Sequence, residues 1–196
     1  MSLRQKKIAK KKEDILRTAV SILAEKGYQG TTMEEIASSL LMTKGSVYYY
    51  FKDKQDLLYQ SQLMLLQQSL INIKTIQQEN LPVVDRFKKA MVAHITYLLD
   101  EKSGFEMMVK LEQIFSTEQL EEIFQLRNDY EKCFDQLILE GINDEVFETV
   151  EITIVRNTIL GAMNWVTQWY SPEGKKDATE IAETVSDYLS RILVIK

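Results

Sequence analysis

Between Thr43 and Tyr49 the chain reads Thr-Lys-Gly-Ser-Val-Tyr-Tyr, a run of hydroxyl, cationic, small and aromatic side chains. The chemistry available to such a run is recognition of a polyanion rather than bond making. Lys44 can reach a guanine edge or a phosphate, and Ser46 can read either type of base. Tyr48 and Tyr49 offer hydroxyls to phosphates and ring faces to thymine methyls. Gly45 lets a backbone come close. Free N–H groups at a helix start bind phosphate, which makes Thr43, and Thr32 upstream, suitable contacts.

Such a run works only if short helices hold it. Thr32 is placed as an N-cap, with Glu35 three residues later completing a capping-box pattern. Met33, Ile36, Ala37 and Leu40 supply one apolar face. After a break at Leu41-Met42, Thr43 caps a second helix whose Val47 and Phe51 lie opposite Lys44 and Ser46; Tyr50 and Phe51 are expected to seat it. Two short helices joined by a tight turn, the second with small and basic residues at its start, form what a helix-turn-helix needs to read a major groove.

The charge is distributed accordingly. The 196 residues carry a net −5, yet residues 1–56 hold 11 Lys/Arg against 7 Asp/Glu, and the remainder is acidic. A basic head on an acidic body is expected when one end meets DNA. The arm at residues 1–12 has six basic side chains and fits either phosphate contact or a solvated terminus. One cysteine, Cys133, allows no internal disulfide, and with the single His94 it supplies no ordinary zinc site. Cys133 reads as a buried thiol and His94 as a satisfied structural histidine. No apolar run reaches the length of a membrane span, so a cytoplasmic protein is expected. No metal or cofactor is implied. The sequence lacks G-x-S-x-G, a Walker loop and G-x-G-x-x-G, which argues against an enzyme. Adjacent acidic pairs such as Glu34-Glu35 read as solvated faces.

Seven glycines and two prolines leave long uninterrupted tracts. The periodicity predicts about nine helices and an all-α fold. A first helix runs from about Ile8 or Lys11 to Lys26, with Gly27 as its C-cap. A fourth runs from Lys54 to Gln77, and a fifth from Pro82 to about Leu99. After a break at Ser103-Gly104, a sixth covers Phe105 to Phe115. A seventh extends from Ser116 or Thr117 to Glu140 and stops at Gly141. An eighth spans Phe147 to Tyr170, and a ninth runs from Asp177 almost to the end.

Over residues 15–58 the chain resembles the TetR/AcrR family of transcriptional regulators. The resemblance rests on Ile15, Ala19, Leu23, Gly27, Thr31-Thr32, Ile36-Ala37, Thr43-Lys44-Gly45-Ser46, Val47-Tyr48, Tyr50-Phe51, Lys54 and Leu57-Leu58. It implies a helix-turn-helix DNA-binding domain over 1–55, with Lys54 as a clamp on the DNA backbone. A helical ligand-binding and dimerisation domain follows over 56–196. One position departs from the family pattern: Leu41 stands where the turn usually has Gly. A non-Gly residue in a left-handed backbone costs of order 1 kcal/mol.

The body fits the resemblance. Ile152, Val155, Ile159, Met163, Val166 and Tyr170 form one stripe of the eighth helix. Ile154, Thr158, Gly161, Trp165 and Trp169 form another, so this helix needs two neighbours. Ile181, Val185, Tyr188, Ile192 and Ile195 repeat at helical spacing in the ninth. Helices eight and nine from two copies are expected to form a four-helix bundle, with Ile152, Val155, Ile159, Gly161, Met163, Val166, Ile181, Val185, Tyr188 and Ile192 at the interface. The sensor pocket is expected around Met91, Ile95, Phe105, Met108, Leu111, Phe115, Tyr130, Phe134 and Trp165, a set suited to an adaptable apolar ligand. The function implied is a homodimeric repressor that binds a near-palindromic double-stranded operator and is released by a small apolar effector. An activator, or a DNA-binding protein controlled by a protein partner, is the alternative.

Overall fold

A computed structural model describes residues 2–108 and 113–195, with side chains omitted for 106–108. Among the described residues the chain forms nine α-helices: α1 Leu3–Gly30, α2 Met33–Ser39, α3 Lys44–Tyr48, α4 Lys54–Gln77, α5 Val83–Asp100, α6 Lys102–Met108, α7 Thr117–Asn143, α8 Ile152–Trp169 and α9 Ala178–Ser190. The all-α expectation holds. The nearest approach to a sheet among these residues is an isolated antiparallel bridge between Phe147 and Val194.

Two compact units are present, one from residues 1–65 and 103–123 and the other from 66–102 and 124–195. In the first, Ile15, Leu16, Ala19 and Leu23 of α1 pack with Met33, Ile36 and Ala37 of α2, Val47 of α3, Phe51, and Leu57 and Leu58 of α4. Burying each large aliphatic side chain stabilises the unit by roughly 1.5–3 kcal/mol. In the second, Ile73, Phe87, Met91, Ile95, Phe134, Leu137, Ile138, Phe147, Ile159, Met163 and Val166 form the core. Helices α4 and α7 contribute residues to both units.

Several boundaries differ from the sequence-based expectation, each for a physical reason. Helix α1 starts at Leu3, because Ser2 and Gln5 close a capping box: the Gln5 N–H donates to Ser2 Oγ at 3.2 Å and the Ser2 N–H to Gln5 Oε1 at 2.7 Å. Gly27, with φ 72 and ψ 168, interrupts helical geometry as expected, but one further turn follows before Thr31.

Gly104 and Gly141 do not break helices. Each lies inside one because a neighbour occupies the space of a side chain: Leu65 and Val20 press on Gly104, and the Phe147 ring covers Gly141. The eighth helix starts at Ile152 rather than Phe147, because the preceding segment pairs with the tail. The Glu148 N–H donates to the Leu193 carbonyl at 2.8 Å and the Ile195 N–H to the Val146 carbonyl at 3.2 Å. That pairing also fixes the chain after α9. No described helix is long and apolar enough to cross a membrane.

Candidate nucleic-acid interface

Helix α2 ends in a turn closed by backbone alone. The Leu41 N–H donates to the Ser38 carbonyl at 3.0 Å, and the Met42 N–H to the Ala37 carbonyl at 2.8 Å. This is the paired hydrogen-bond pattern of a Schellman motif, which requires a left-handed residue at the first position past the cap. Leu41 fills it with φ 51. Its side chain is 97% exposed. The backbone strain expected of the missing glycine is present, and it comes with an apolar side chain in solvent.

The turn delivers Thr43 as the N-cap of α3. Thr43 Oγ1 accepts from the Ser46 N–H at 3.2 Å and lies 2.8 Å from Ser46 Oγ. Val47 and Phe51 are buried in the core of the unit and fix the rotation of α3 about its axis. Lys44, Gly45, Ser46, Tyr48 and Tyr49 are therefore turned outward together. A side chain added at Gly45 would meet only Thr43 Oγ1, at 4.0 Å, so this stretch of backbone is open to approach. Tyr50 is half-buried, and the Tyr49 ring meets its edge at 5.0 Å between centroids.

Lys44 has two neighbours within the head. Its ammonium pairs with the Glu34 carboxylate and sits 5.6 Å from the centre of the Tyr48 ring. That hydrogen bond, more than the charge attraction, lowers the Glu34 pKa and raises that of Lys44. Both groups are exposed and screened, so the pair is weak and costs little to separate. Local sequence presents Glu34 as part of a solvated face. Its pairing depends instead on the angle between α2 and α3, which local sequence does not report.

Thr32 caps α2 by accepting from the Glu35 N–H at 3.2 Å. The reciprocal half of the expected capping box is replaced, because the Glu35 carboxylate pairs with Lys26 of α1. Lys54, at the start of α4, directs its ammonium to the Tyr28 carbonyl and to the Thr31 carbonyl at 2.7 Å, and over the Tyr28 ring at 4.2 Å. These contacts tie α4 to the end of α1.

The body residues are sorted by burial. Met91, Ile95 and Phe134 lie in the core of the second unit, and Tyr130 packs beside them. Phe115 belongs to the first unit, where its ring meets that of Tyr59 at 5.9 Å. Phe105 is half-buried in the same unit. Leu111 and the Met108 side chain lie outside the described residues. Trp165, expected in a pocket, is instead 65% exposed on the outer face of α8.

The interface expectation is corrected in the same way. Ile159, Met163 and Val166 are at most 1% exposed and belong to the chain's own core, with Ile152 and Val155 packed against them. Ile181 and Val185 of α9 also pack on this core. The apolar surface left outward is Ile154, Trp165 and Trp169 of α8, with Gly161 among them, together with Tyr188, Ile192 and Ile195.

A helix-turn-helix with an outward recognition face, attached to a helical body, defines a DNA-binding regulator. Two family models match the chain: "Bacterial regulatory proteins, tetR family" over residues 15–60, and "Tetracyclin repressor-like, C-terminal domain" over residues 80–193. The chain belongs to the TetR family of transcriptional regulators, which are DNA-binding proteins and not enzymes.

It is 24% identical over 178 residues to the fatty acid metabolism regulator protein of Bacillus subtilis (strain 168), covering 89% of this chain and 91% of that protein. The structure of the TetR family transcriptional regulator PfmR from Thermus thermophilus is similar at 25% identity and a TM-score of 0.82, covering 90% of this chain and 97% of that one. The structure of AibR in complex with isovaleryl coenzyme A and operator DNA shares the fold at 22% identity and a TM-score of 0.75, covering 93% and 97%.

Proposed function

We propose that the protein is a homodimeric repressor that binds a near-palindromic operator through α3 and is released by a small, largely apolar effector. The observation that carries this reading is the division of α3 into a buried face, Val47 with the following Phe51, and an outward face of Lys44, Gly45, Ser46, Tyr48 and Tyr49. Thr32 and Thr43 present their helix starts to the DNA backbone. Lys54 supports the head through its ties to Tyr28 and Thr31, and its role as a clamp on the DNA backbone rests on the family resemblance. Residues 1–55 serve as the DNA-binding domain and 56–196 as the sensor and dimerisation domain.

The second copy covers the outer faces of α8 and α9, because a helix apolar on two sides needs a partner beyond its own core. One head makes too few contacts for a long operator, whereas two match successive major-groove faces. The effector acts by binding one arrangement of the two heads better than the other. Helix α4 suits the coupling role, since Leu57 and Leu58 belong to the core of one unit and Ile73 and Ile76 to that of the other. Met91, Ile95, Tyr130 and Phe134 favour an apolar ligand. The relative named for fatty acid metabolism supports an acyl chain as the first class to try.

Fluorescence anisotropy against duplexes tiled across the DNA flanking the gene, at two salt concentrations, tests the reading. Tight, salt-sensitive binding to one near-palindromic duplex, weakened by Lys44→Ala and released by an acyl ligand, is the expected result. Equal weak binding to every duplex, unaffected by the substitution, overturns it.

A further inference from the structure

Beside the outward face of α3 lies an open notch of about 520 Å³, lined by Leu3, Arg4, Lys7 and Ile8 of α1 and by Tyr49 and Tyr50. We propose that this notch is a second DNA contact, in which Arg4 and Lys7 grip the sugar-phosphate backbone flanking the groove that α3 enters. The inference rests on the operator-binding reading and extends its footprint.

Three observations support it. The first turns of α1 are an ordered, capped helix, so Arg4 and Lys7, three residues apart, stand on one face at fixed positions rather than on a frayed arm. The charge is of one sign: Arg4, Lys6, Lys7, Lys10, Lys11 and Lys12 precede the first acidic residue, Glu13. Last, the notch is continuous with the recognition surface, because Tyr49 belongs to both and is 71% exposed. A backbone strand leaving the groove past Tyr49 meets two cations and a phenol hydroxyl, the donor set that positions phosphates without reading sequence. These residues precede the span matched by the family's head model, which starts at residue 15.

The test uses the full-length chain and a duplex that it selects from a randomised pool, compared with the same duplex trimmed at both flanks. Arg4→Gln/Lys7→Gln is expected to weaken binding to the long duplex roughly tenfold at moderate salt. The slope of log K against log salt should fall by about 0.9 for each phosphate no longer neutralised. Arg4→Lys should keep the wild-type slope, and trimming should abolish the difference between wild type and the double variant. An unchanged affinity and slope on the long duplex, while Lys44→Ala still weakens binding, overturns this proposal and leaves the operator reading standing. A loss of equal size on long and trimmed duplexes also overturns it, since that reports a damaged head. If the wild type selects no duplex, the operator reading fails, and this proposal with it.

Discussion

The Tyr130 hydroxyl donates to Nδ1 of His94 across 2.8 Å, and Nε2 of the same ring meets Asn164 Oδ1 at 3.0 Å. One imidazole thus joins α5, α7 and α8, and it is neutral, with Nε2–H as donor and Nδ1 as acceptor. Burial lowers its pKa to about 4, against the opposing effect of the hydrogen bond to Asn164. Between pH 6.5 and about 4 the unfolded chain binds a proton at His94 that the folded chain refuses. This contribution to stability is complete above pH 6.5 and declines as pH falls through that interval, by up to ~3 kcal/mol. Because His94 is the chain's one histidine, its ring resonances report the titration directly. A midpoint near 6.5 in the folded protein would refute the assignment. Subtracting the urea stability profile of His94→Gln from that of wild type isolates the slope from carboxylate titrations.

Leu41→Gly should stabilise the first unit. The residue holds φ 51 and is almost wholly exposed, so nothing packed is lost and a left-handed strain of ~1 kcal/mol is relieved, less the entropy of a freer unfolded chain. A net gain of a few tenths of a kcal/mol in chemical denaturation is expected. A loss of stability would mean that Leu41 has a partner in solution.

Gly141→Ala tests the seat of Phe147. A Cβ at 141 would lie 2.6 Å from Cγ of that ring, which is buried among Phe87 and the body core. Overpacking of this kind costs about 1–3 kcal/mol, more than the helix propensity that alanine adds. The thermal midpoint should fall, and Gly141→Ala/Phe147→Leu should recover part of the loss. A rise in the single variant would show that the ring moves aside freely.

Trp165→Glu should separate association from folding. Its ring lies on the outer face of α8, so if the proposed dimer forms through this face, sedimentation of the variant should show monomer where wild type shows dimer, with helical content retained. On the proposed interface, loss of this aromatic side chain should cost about 2 kcal/mol, roughly 30-fold in dimer affinity. Met163→Glu, on the buried stripe, should instead unfold the body. Unchanged association in Trp165→Glu would place the interface elsewhere.

Much of the head was legible because its signals are local. Thr32 and Thr43 cap α2 and α3 through their own hydroxyls, Val47 and Phe51 turn inward by helical spacing, and Lys54 to Gln77 forms α4 as the periodicity implied. These features depend on interactions spanning a few residues, and residue type is enough to specify them. Leu41 was recognisable as a substitute for glycine only through the family resemblance, and the structure places the left-handed residue that the turn demands there.

Only the tertiary structure decided what depends on a neighbour. Two apolar stripes on α8 were evident from their spacing, but spacing reports that a face is apolar, not what covers it. Packing against α5 and the body core claimed Ile159, Met163 and Val166 and left Trp165 outside. Gly104 and Gly141 read as helix ends until the side chains pressing on them made them points of close approach. Lys44 and Glu34 meet only because of the angle between α2 and α3, and the notch beside Tyr49 exists only because the start of α1 is brought beside the end of α3. Local chemistry determined which elements form and which side chains can touch DNA; the packing of the helices determined which surfaces remain to do so.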